Sequence, residues 1–328
     1  MPGEPVKSPT EMAGATPSVG ELFRARARIQ KSLPAIEYQD RLISYGELLD
    51  RVDRLTGVLA ARGLVRGDRI ALLSRNRPEY LEVEQAAANL GVITACLNWR
   101  LSERELAYCI ELVSPKLLIA EQDLTANLGN RGAGGRELIV IGDEYEHLLQ
   151  QQSAPSRPVA LDPEDGLVIF YTSGTTGLPK GAIISHRGMV ARALVFSSEL
   201  SLLQRDAFVA WAPLFHMAST DHSLATLLRG GTVVIVDGFQ IEPLLSALQR
   251  YHIGWFVLIP GMIDAFIAGF RTQNITVKGV GCCGAMADLV PPHVLAEVTE
   301  LLDAPYVNSF GSTETGLPPA TRSQSSLG

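Results

Sequence analysis

From Val19 onward, short apolar runs alternate with stretches in which apolar residues recur every three or four positions. The first pattern is that of buried strands and the second that of amphipathic helices. Ser44-Tyr45-Gly46-Glu47 has capping-box spacing, and Leu48, Val52, Leu55 and Leu59 follow on one face, so a helix is predicted there, closed by Gly63. Ile70 to Leu73 reads as a strand, Pro78 to about Asn89 as a helix opened by proline, and Val92 to Leu97 as a strand. Ser102 and Glu105 repeat the capping box ahead of Leu106, Ile110 and Val113, and Pro115 ends that helix. Further strands are predicted at Leu117 to Ala120, Leu138 to Ile141, Val168 to Phe170 and Ala182 to Ile184. Helical residues follow His186, and strands are predicted at Ala207 to Trp211, Thr232 to Val236, Trp255 to Ile259, Val277 to Cys282 and Tyr306 to Ser309. This alternation implies largely parallel α/β sheets, where ligands collect at the carboxyl ends of strands.

Composition divides the chain further. Residues 1–17 are rich in Pro, Gly, Ser, Thr and Glu and are predicted to lack fixed structure. The proline-rich run 153–163, SAPSRPVALDP, is the expected boundary between an α/β subdomain at 18–152 and a second at 164–316, with 317–328 a flexible tail. Apolar residues make up 46% of 328, enough for a sizeable core, and a net charge of −7 argues against nucleic acid as a partner. No apolar run approaches a membrane span, and MPGEPVKSPTEMAG has no apolar core of a signal peptide, so a cytoplasmic protein is expected. Cys96, Cys109, Cys282 and Cys283 form no C-x-x-C pair and read as buried free thiols. His216 and His222 flank Asp221 without an H-E-x-x-H pattern, so a zinc site is not expected.

The densest chemistry lies in Tyr171 to Ala182, YTSGTTGLPKGA. Two strand-like runs flank it, so it reads as a loop between strands. Its glycines let backbone N–H groups turn inward as an anion nest, its hydroxyls add donors, and Lys180 adds a mobile positive charge. The same composition also makes a plain surface turn; the ordered S-G-T-T-G-x-P-K-G series favours a polyphosphate holder. A Walker A loop is excluded, because Pro179 stands where that motif needs glycine and Gly181 follows Lys180.

YTSGTTGLPKG resembles the phosphate-loop signature of the adenylate-forming superfamily, which comprises acyl-CoA synthetases, peptide-synthetase adenylation domains and luciferases of the firefly type. Four later or earlier segments agree in order. CLNWRLSEREL, from Cys96 to Leu106, is similar to P-L-N-x-R-L-x-x-x-E-L, although a well-capped strand-to-helix turn accounts for it. APLFHMAS, from Ala212, resembles the segment whose His or aromatic lines the carboxylate pocket. GCCGAMA, from Gly281, resembles the G-G-A-P-L turn with Met286 in place of proline, and NSFGSTETG, from Asn308, resembles Y-G-x-T-E. The resemblance implies that Thr172, Ser173, Gly174, Thr175, Thr176, Gly177 and Lys180 hold phosphates, that Gly284 and Ala285 border adenine, and that Phe310 stacks on it beside Gly311. It implies that Thr313 donates to phosphate, that Glu314 holds Mg²⁺, that His216 gates the acyl channel, and that Trp255, Val257, Gly261 and Met262 line the acid pocket. Each segment also has a structural reading: a strand-end histidine, a small-residue turn, a helix cap at Ser312 or Thr313.

The implied fold is two stacked α/β subdomains with largely parallel sheets, as in the large lobe of acyl-CoA synthetases. The implied function is an ATP-dependent carboxylic acid–CoA ligase of the kind that serves fatty acid metabolism. Its reaction forms acyl-AMP and pyrophosphate and then a thioester, with ATP, Mg²⁺ and CoA as ligands and His216, Lys180, Thr313 and Glu314 as the catalytic set. Two anions must meet, so charge neutralisation and alignment are the site's tasks. The resemblance spans about residues 20–316, and family members continue with a small C-terminal domain that is not expected here. Little activity from the chain alone is therefore expected, with self-association or a complementing C-terminal domain as partners. The alternative is a non-catalytic nucleotide- or acyl-binding remnant acting through a partner.

Overall fold

The computed structural model describes residues 17–129, 134–152, 159–172, 178–285, 289–308, 311–317 and 322–323. Most of the two expected tails and residues 153–158 of the expected boundary lie outside that range.

Two sheets carry the architecture. The six-stranded sheet has the order β6-β5-β3-β4-β7-β8, from β3 (Arg69–Leu73), β4 (Ile93–Cys96), β5 (Leu117–Glu121), β6 (Glu137–Ile141), β7 (Gly166–Thr172) and β8 (Lys180–Ser185). It is parallel except for the antiparallel pair β7–β8. The eight-stranded sheet has the order β14-β13-β12-β11-β9-β10-β1-β2. Its strands are β1 (Pro34–Tyr38), β2 (Arg41–Ser44), β9 (Ala207–Ala210), β10 (Val233–Ile235), β11 (Ile253–Val257), β12 (Val280–Ala285), β13 (Tyr306–Asn308) and β14 (Arg322–Ser323). Its inner strands are parallel, and β2 and β14 run antiparallel at the two edges. The mixed α/β class with mostly parallel sheets is the one the alternation predicts.

Strand pairing crosses the expected boundary in both directions. Residues Ile36 to Tyr38 pair with Val233 to Ile235 of the later half, and Val168 to Phe170 pair with Thr94 to Cys96 of the earlier half. A continuous apolar run such as Val168-Ile169-Phe170 needs cover on both faces, which an inner position supplies. Within the stretch expected to be a flexible tail, Arg322 and Ser323 pair with β13.

The helices form layers. Helices α1 (Val19–Ile29), α2 (Tyr45–Ala61), α3 (Pro78–Leu90), α6 (His186–Glu199) and α7 (Met217–Arg229) contribute to one large core that takes inner faces from both sheets, among them Ile70, Leu72, Phe208, Ala210 and Trp255. On the outer face of the eight-stranded sheet, α8 (Ile241–Arg250), α9 (Ile263–Gln273) and α10 (Pro292–Leu302) cover Ala207, Val209 and Phe256. On the outer face of the six-stranded sheet, α4 (Glu103–Val113) covers Ala71 and Leu73. A further helix, α5 (Asp143–Gln151), follows β6, and a 3-10 helix, Gln122–Leu128, follows β5.

Local expectations fare well where a cap defines them. Ser102 accepts from Glu105 N–H and the Glu105 carboxylate returns to Ser102 N–H. Ser44 accepts from Glu47 N–H, and Gly63 lies past the helix with φ +72. Several strand bounds shift. The strand expected at Val277 to Cys282 is Val280–Ala285: Gly279 at φ +144 interrupts the extended run, and pairing with the neighbouring strands carries it through Gly281 to Ala285, where a turn was expected. The strand expected at Trp255 to Ile259 is Ile253–Val257, and those flanking the expected loop are longer than expected, Gly166–Thr172 and Lys180–Ser185. All four cysteines are buried and lie outside any disulfide. Among the described residues no helix is long and apolar enough to cross a membrane.

Candidate functional site

In the eight-stranded sheet, β10 follows β9 on one side and β11 returns to the other, so the order reverses between β9 and β11. A crevice opens beyond the carboxyl ends at such a reversal. Ala212–His216 leaves β9 there, Leu258–Met262 leaves β11, and Ala285 and Asn308 end β12 and β13. Val257, Gly284 and Val307 form one row across β11, β12 and β13.

His216 stands at the N-terminus of α7. Its Nδ1 accepts the Ala218 N–H at 3.1 Å, which leaves Nε2 to carry the proton of the neutral ring. The residue is exposed, yet its surroundings exclude enough water to lower its pKa below the usual imidazole value. Asn76, buried beyond β3, shapes the segment leading to it. Its Nδ2 donates to the carbonyls of Ala210, Ala212 and Val236 at 2.8–3.0 Å, and its Oδ1 accepts the Leu214 N–H at 2.8 Å. Thr220 closes the segment from the other side, donating to the Leu214 carbonyl at 2.5 Å.

The strands that flank the expected phosphate loop form a β-hairpin. Thr172 pairs with Lys180 at its mouth, Thr172 half-buried and Lys180 exposed. Ser173, Gly174, Thr175, Thr176 and Gly177 lie outside the described residues, as do Met286 and Phe310. From Ser185 the chain passes directly into α6, with the Ser185 hydroxyl accepting the Gly188 N–H at 3.1 Å.

Thr313 and Glu314 occupy a tight turn rather than the first turn of a helix. Ser312 and Gly316 exchange backbone hydrogen bonds of 3.3 and 2.8 Å, and the Ser312 hydroxyl accepts the Thr315 N–H at 3.2 Å. Gly311 packs so closely that a Cβ there would lie 2.6 Å from the Gly316 carbonyl. Thr313 is half-buried and Glu314 exposed.

Of the expected acid-pocket residues, Trp255 and Val257 are buried. A methyl group on Gly284 would fall within the Trp255 ring, so the glycine makes room for the indole. The Trp255 ring lies 5.7 Å from His222, which stacks on Phe196 at 4.2 Å. Burial pushes His222 down to about 3. Gly261 has φ +84 and no neighbour within 4 Å of a Cβ position, so backbone conformation accounts for its glycine. Met262 is partly exposed beside it.

Among the described residues no three His, Cys, Asp or Glu side chains converge on a metal-sized site. The exposed Glu314 carboxylate fits a Mg²⁺ that arrives on nucleotide phosphates and keeps most of its waters, the usual habit of that ion. A cleft of about 350 Å³ between the ends of β1 and β10 and α8, lined by Glu37, Asp237 and Arg250 among others, contains none of the expected residues.

Sequence reasoning did not single out Asn76, Glu84 or Arg192, and weighed Asp221 only beside His216 and His222 as a metal site. Glu84 is fully buried on α3, meets Thr220 at 3.3 Å, and is pushed up to about 8, by burial first. Asp221 is pushed up to about 6 by burial, against the pull of Arg192. Asn76 was locatable, since it lies between a strand end and a helix-opening proline. The other three look like ordinary polar faces of helices.

Residues 23–326 match the AMP-binding enzyme family. The chain is 31% identical over 308 residues to indoleacetate–CoA ligase of Aromatoleum aromaticum, covering 90% of this chain and 60% of that protein. It is 31% identical over 292 residues to feruloyl-CoA synthase of an Amycolatopsis species, covering 88% and 58%. The fold is similar to that of an inhibitor-bound N-terminal domain of FACL13 from Mycobacterium tuberculosis, with TM-score 0.84, 22% identity, and 91% and 77% of the two chains covered. It is also similar to Bacillus subtilis O-succinylbenzoate coenzyme A synthetase in complex with AMP, with TM-score 0.78, 22% identity, and 89% and 74% covered. The chain thus spans about 60% of the length of the curated relatives it matches. With nearly its whole described length inside one family match, and with the expected segments arriving at strand ends in family order, the chain belongs to the AMP-binding enzymes, the adenylate-forming family that includes the acyl-CoA ligases.

Proposed function

We propose that this chain is the nucleotide- and acid-binding portion of an ATP-dependent carboxylic acid–CoA ligase. The observation that carries the reading is the link between two anion-handling segments. The hairpin bearing Thr172 and Lys180 runs on into α6, and Arg192 of α6 donates to the carbonyls of the Thr313–Glu314 turn.

In this reading Lys180 and the loop hydroxyls, Ser173, Thr175 and Thr176 included, receive the ATP phosphates, and Thr313 adds a donor. Glu314 holds Mg²⁺, which neutralises phosphate charge when bound. Gly284, Ala285, Phe310 and Gly311 border the adenine. His216, neutral and fixed by Ala218, stands between nucleotide and acid, with Trp255, Val257 and Gly261 toward the acid. Attack of the carboxylate oxygen on the α-phosphorus forms the acyl–phosphate bond and breaks the bond to pyrophosphate, giving acyl-AMP. The CoA thiol then displaces AMP. Two anions approach each other in the first step, so positioned cations and donors are what the site must supply.

Full ligase turnover is proposed for the whole protein and substrate binding for this chain. Isothermal titration with Mg-ATP should show saturable binding. Mass spectrometry across a panel of aromatic and aliphatic acids should find one that yields acyl-AMP with the whole protein. No ATP binding, or ATP binding with no acyl-AMP from any acid, would count against a ligase and leave a binding protein.

A further inference from the structure

Arg192 and Asp221 form a buried ion pair between α6 and α7. Arg192 Nη1 meets Asp221 Oδ2 at 2.8 Å, and the two side chains are 7% and 0% exposed. The other terminal nitrogen, Nη2, donates to the backbone carbonyls of Thr313 at 2.8 Å and Glu314 at 3.0 Å. The Arg192 stem also packs on Gly316, where a Cβ would lie 3.0–3.1 Å from Nε, Cδ and Cγ and where φ is +72. The turn's own hydrogen bonds between Ser312, Thr315 and Gly316 give it shape. They do not say where on the sandwich it stands. Leu317 packs on the central core, and the Arg192 fork supplies directional contacts to the turn.

A buried ion pair is a poor device for stability, because apolar residues of similar volume serve as well or better. A planar guanidinium with one nitrogen held by a carboxylate does suit placement, since its second nitrogen is then aimed. The connections sharpen the point. Helix α6 continues from the strand that starts at Lys180, and α7 starts directly after His216.

We infer that Arg192, braced by Asp221, is a positioning residue that sets the Thr313–Glu314 turn relative to the Lys180 hairpin and the His216 helix. It acts through the turn's carbonyl oxygens. This rests on the proposed function only in taking Thr313 and Glu314 as the groups that meet the nucleotide and Mg²⁺.

The test uses the full chain with the double variant Arg192→Met/Asp221→Leu, which removes both buried charges at similar volume. Two readouts are followed: amide hydrogen exchange of residues 311–317, and the gain in ATP affinity on adding Mg²⁺. The expected result is a melting temperature close to wild type, exchange of the turn faster by about tenfold or more, and a Mg²⁺-linked gain reduced by a similar factor. ATP binding without Mg²⁺ weakens less than the Mg²⁺-linked gain falls, because only the Thr313 and Gly311 contacts are then displaced, whereas a general loss of structure would lower both alike. Arg192→Lys keeps the charge opposite Asp221 but has one nitrogen where two are used, and should give intermediate exchange. Wild-type exchange of the turn in the double variant overturns the inference, and if that variant does not fold, wild-type exchange in Arg192→Lys does so. If the wild-type chain binds no ATP, the functional reading fails while the exchange result still decides the positioning role.

Discussion

Asn76 Oδ1 accepts the Leu214 N–H at 2.8 Å while its Nδ2 donates to three carbonyls, of Ala210, Ala212 and Val236. One amide at the end of β3, in the six-stranded sheet, therefore ties down the ends of β9 and β10 in the other sheet and the segment that delivers His216. Backbone groups at strand ends have no ladder partners, and a buried one left unpaired is costly. Asn76→Ala removes all four contacts and should lower unfolding free energy by about 2–4 kcal/mol in urea titration. Hydrogen exchange should rise at Leu214 before it rises in the centre of the sheet. A change below about 0.5 kcal/mol would mean that the carbonyls find other partners.

The Gly284 and Trp255 pair gives a second expectation. A Cβ on Gly284 would occupy the space of the indole six-membered ring, and the buried indole lies beside His222, which is itself stacked on Phe196. Gly284→Ala must therefore displace the indole or spread β11 from β12, at a cost of about 1–3 kcal/mol as for other overpacked cores. Trp255→Phe removes the clashing atoms and should recover much of that loss. A double-mutant cycle by urea unfolding measures the coupling, and simple additivity of the two single changes would refute the steric account.

These two residues also show what the sequence could and could not say. Elements with a local signature were legible: Ser102 with Glu105 closes a reciprocal cap, and Pro78 opens its helix. The family segments were legible too, because each begins within or just after an apolar run that becomes a strand. Sheet membership was not. The short strand Pro34–Tyr38 ends at Gln39 and Asp40, both at positive φ, and pairs with residues nearly two hundred positions later; no local pattern names such a partner. Arg192 sits in the run MVARALVF and reads as an exposed helix position. Only the fold brings it to Asp221 and Thr313, 29 and 121 residues away. Gly284 was readable as part of a family turn, but its local reason, the indole beside it, lies on another strand.

Stability should depend on pH in a direction set by Glu84. Burial, with Asp221 nearby, holds its folded pKa at about 8 against an ordinary value of 4.5. The folded state therefore binds the proton more tightly than the unfolded state, so its contribution is full below pH 4.5 and fades as pH rises toward 8. Asp221, raised to about 6, acts in the same direction at lower pH. His186 and His222, lowered to about 4 and about 3 by burial, act oppositely, losing stability as pH falls below 6.5. The four oppose one another below pH 6.5, and Glu84 alone of them titrates above it. Unfolding free energy should fall by about 2 kcal/mol between pH 6.5 and 8. In Glu84→Gln that slope should flatten, and an equal slope in both proteins would show that another group carries it.

The last expectation separates ligand contact from folding at Lys180. Its side chain is exposed at the first position of β8, opposite Thr172 at the hairpin mouth. Residues that build the sandwich are buried, as Phe170 and Ile184 are in the same hairpin. Lys180→Ala should therefore leave urea unfolding within about 0.5 kcal/mol of wild type, the usual range for surface changes. A lysine that meets phosphate makes a charge-assisted hydrogen bond, so the same change should weaken Mg-ATP binding by about ten- to a hundredfold in calorimetry. Lys180→Arg keeps the charge but replaces a compact ammonium with a wider fork, and should recover only part of the affinity. Weakened binding at high salt in wild type, and a smaller salt effect in Lys180→Ala, would identify the lost term as electrostatic. Wild-type ATP affinity in the alanine variant would remove Lys180 from the site, and with it the central residue of the proposed phosphate loop.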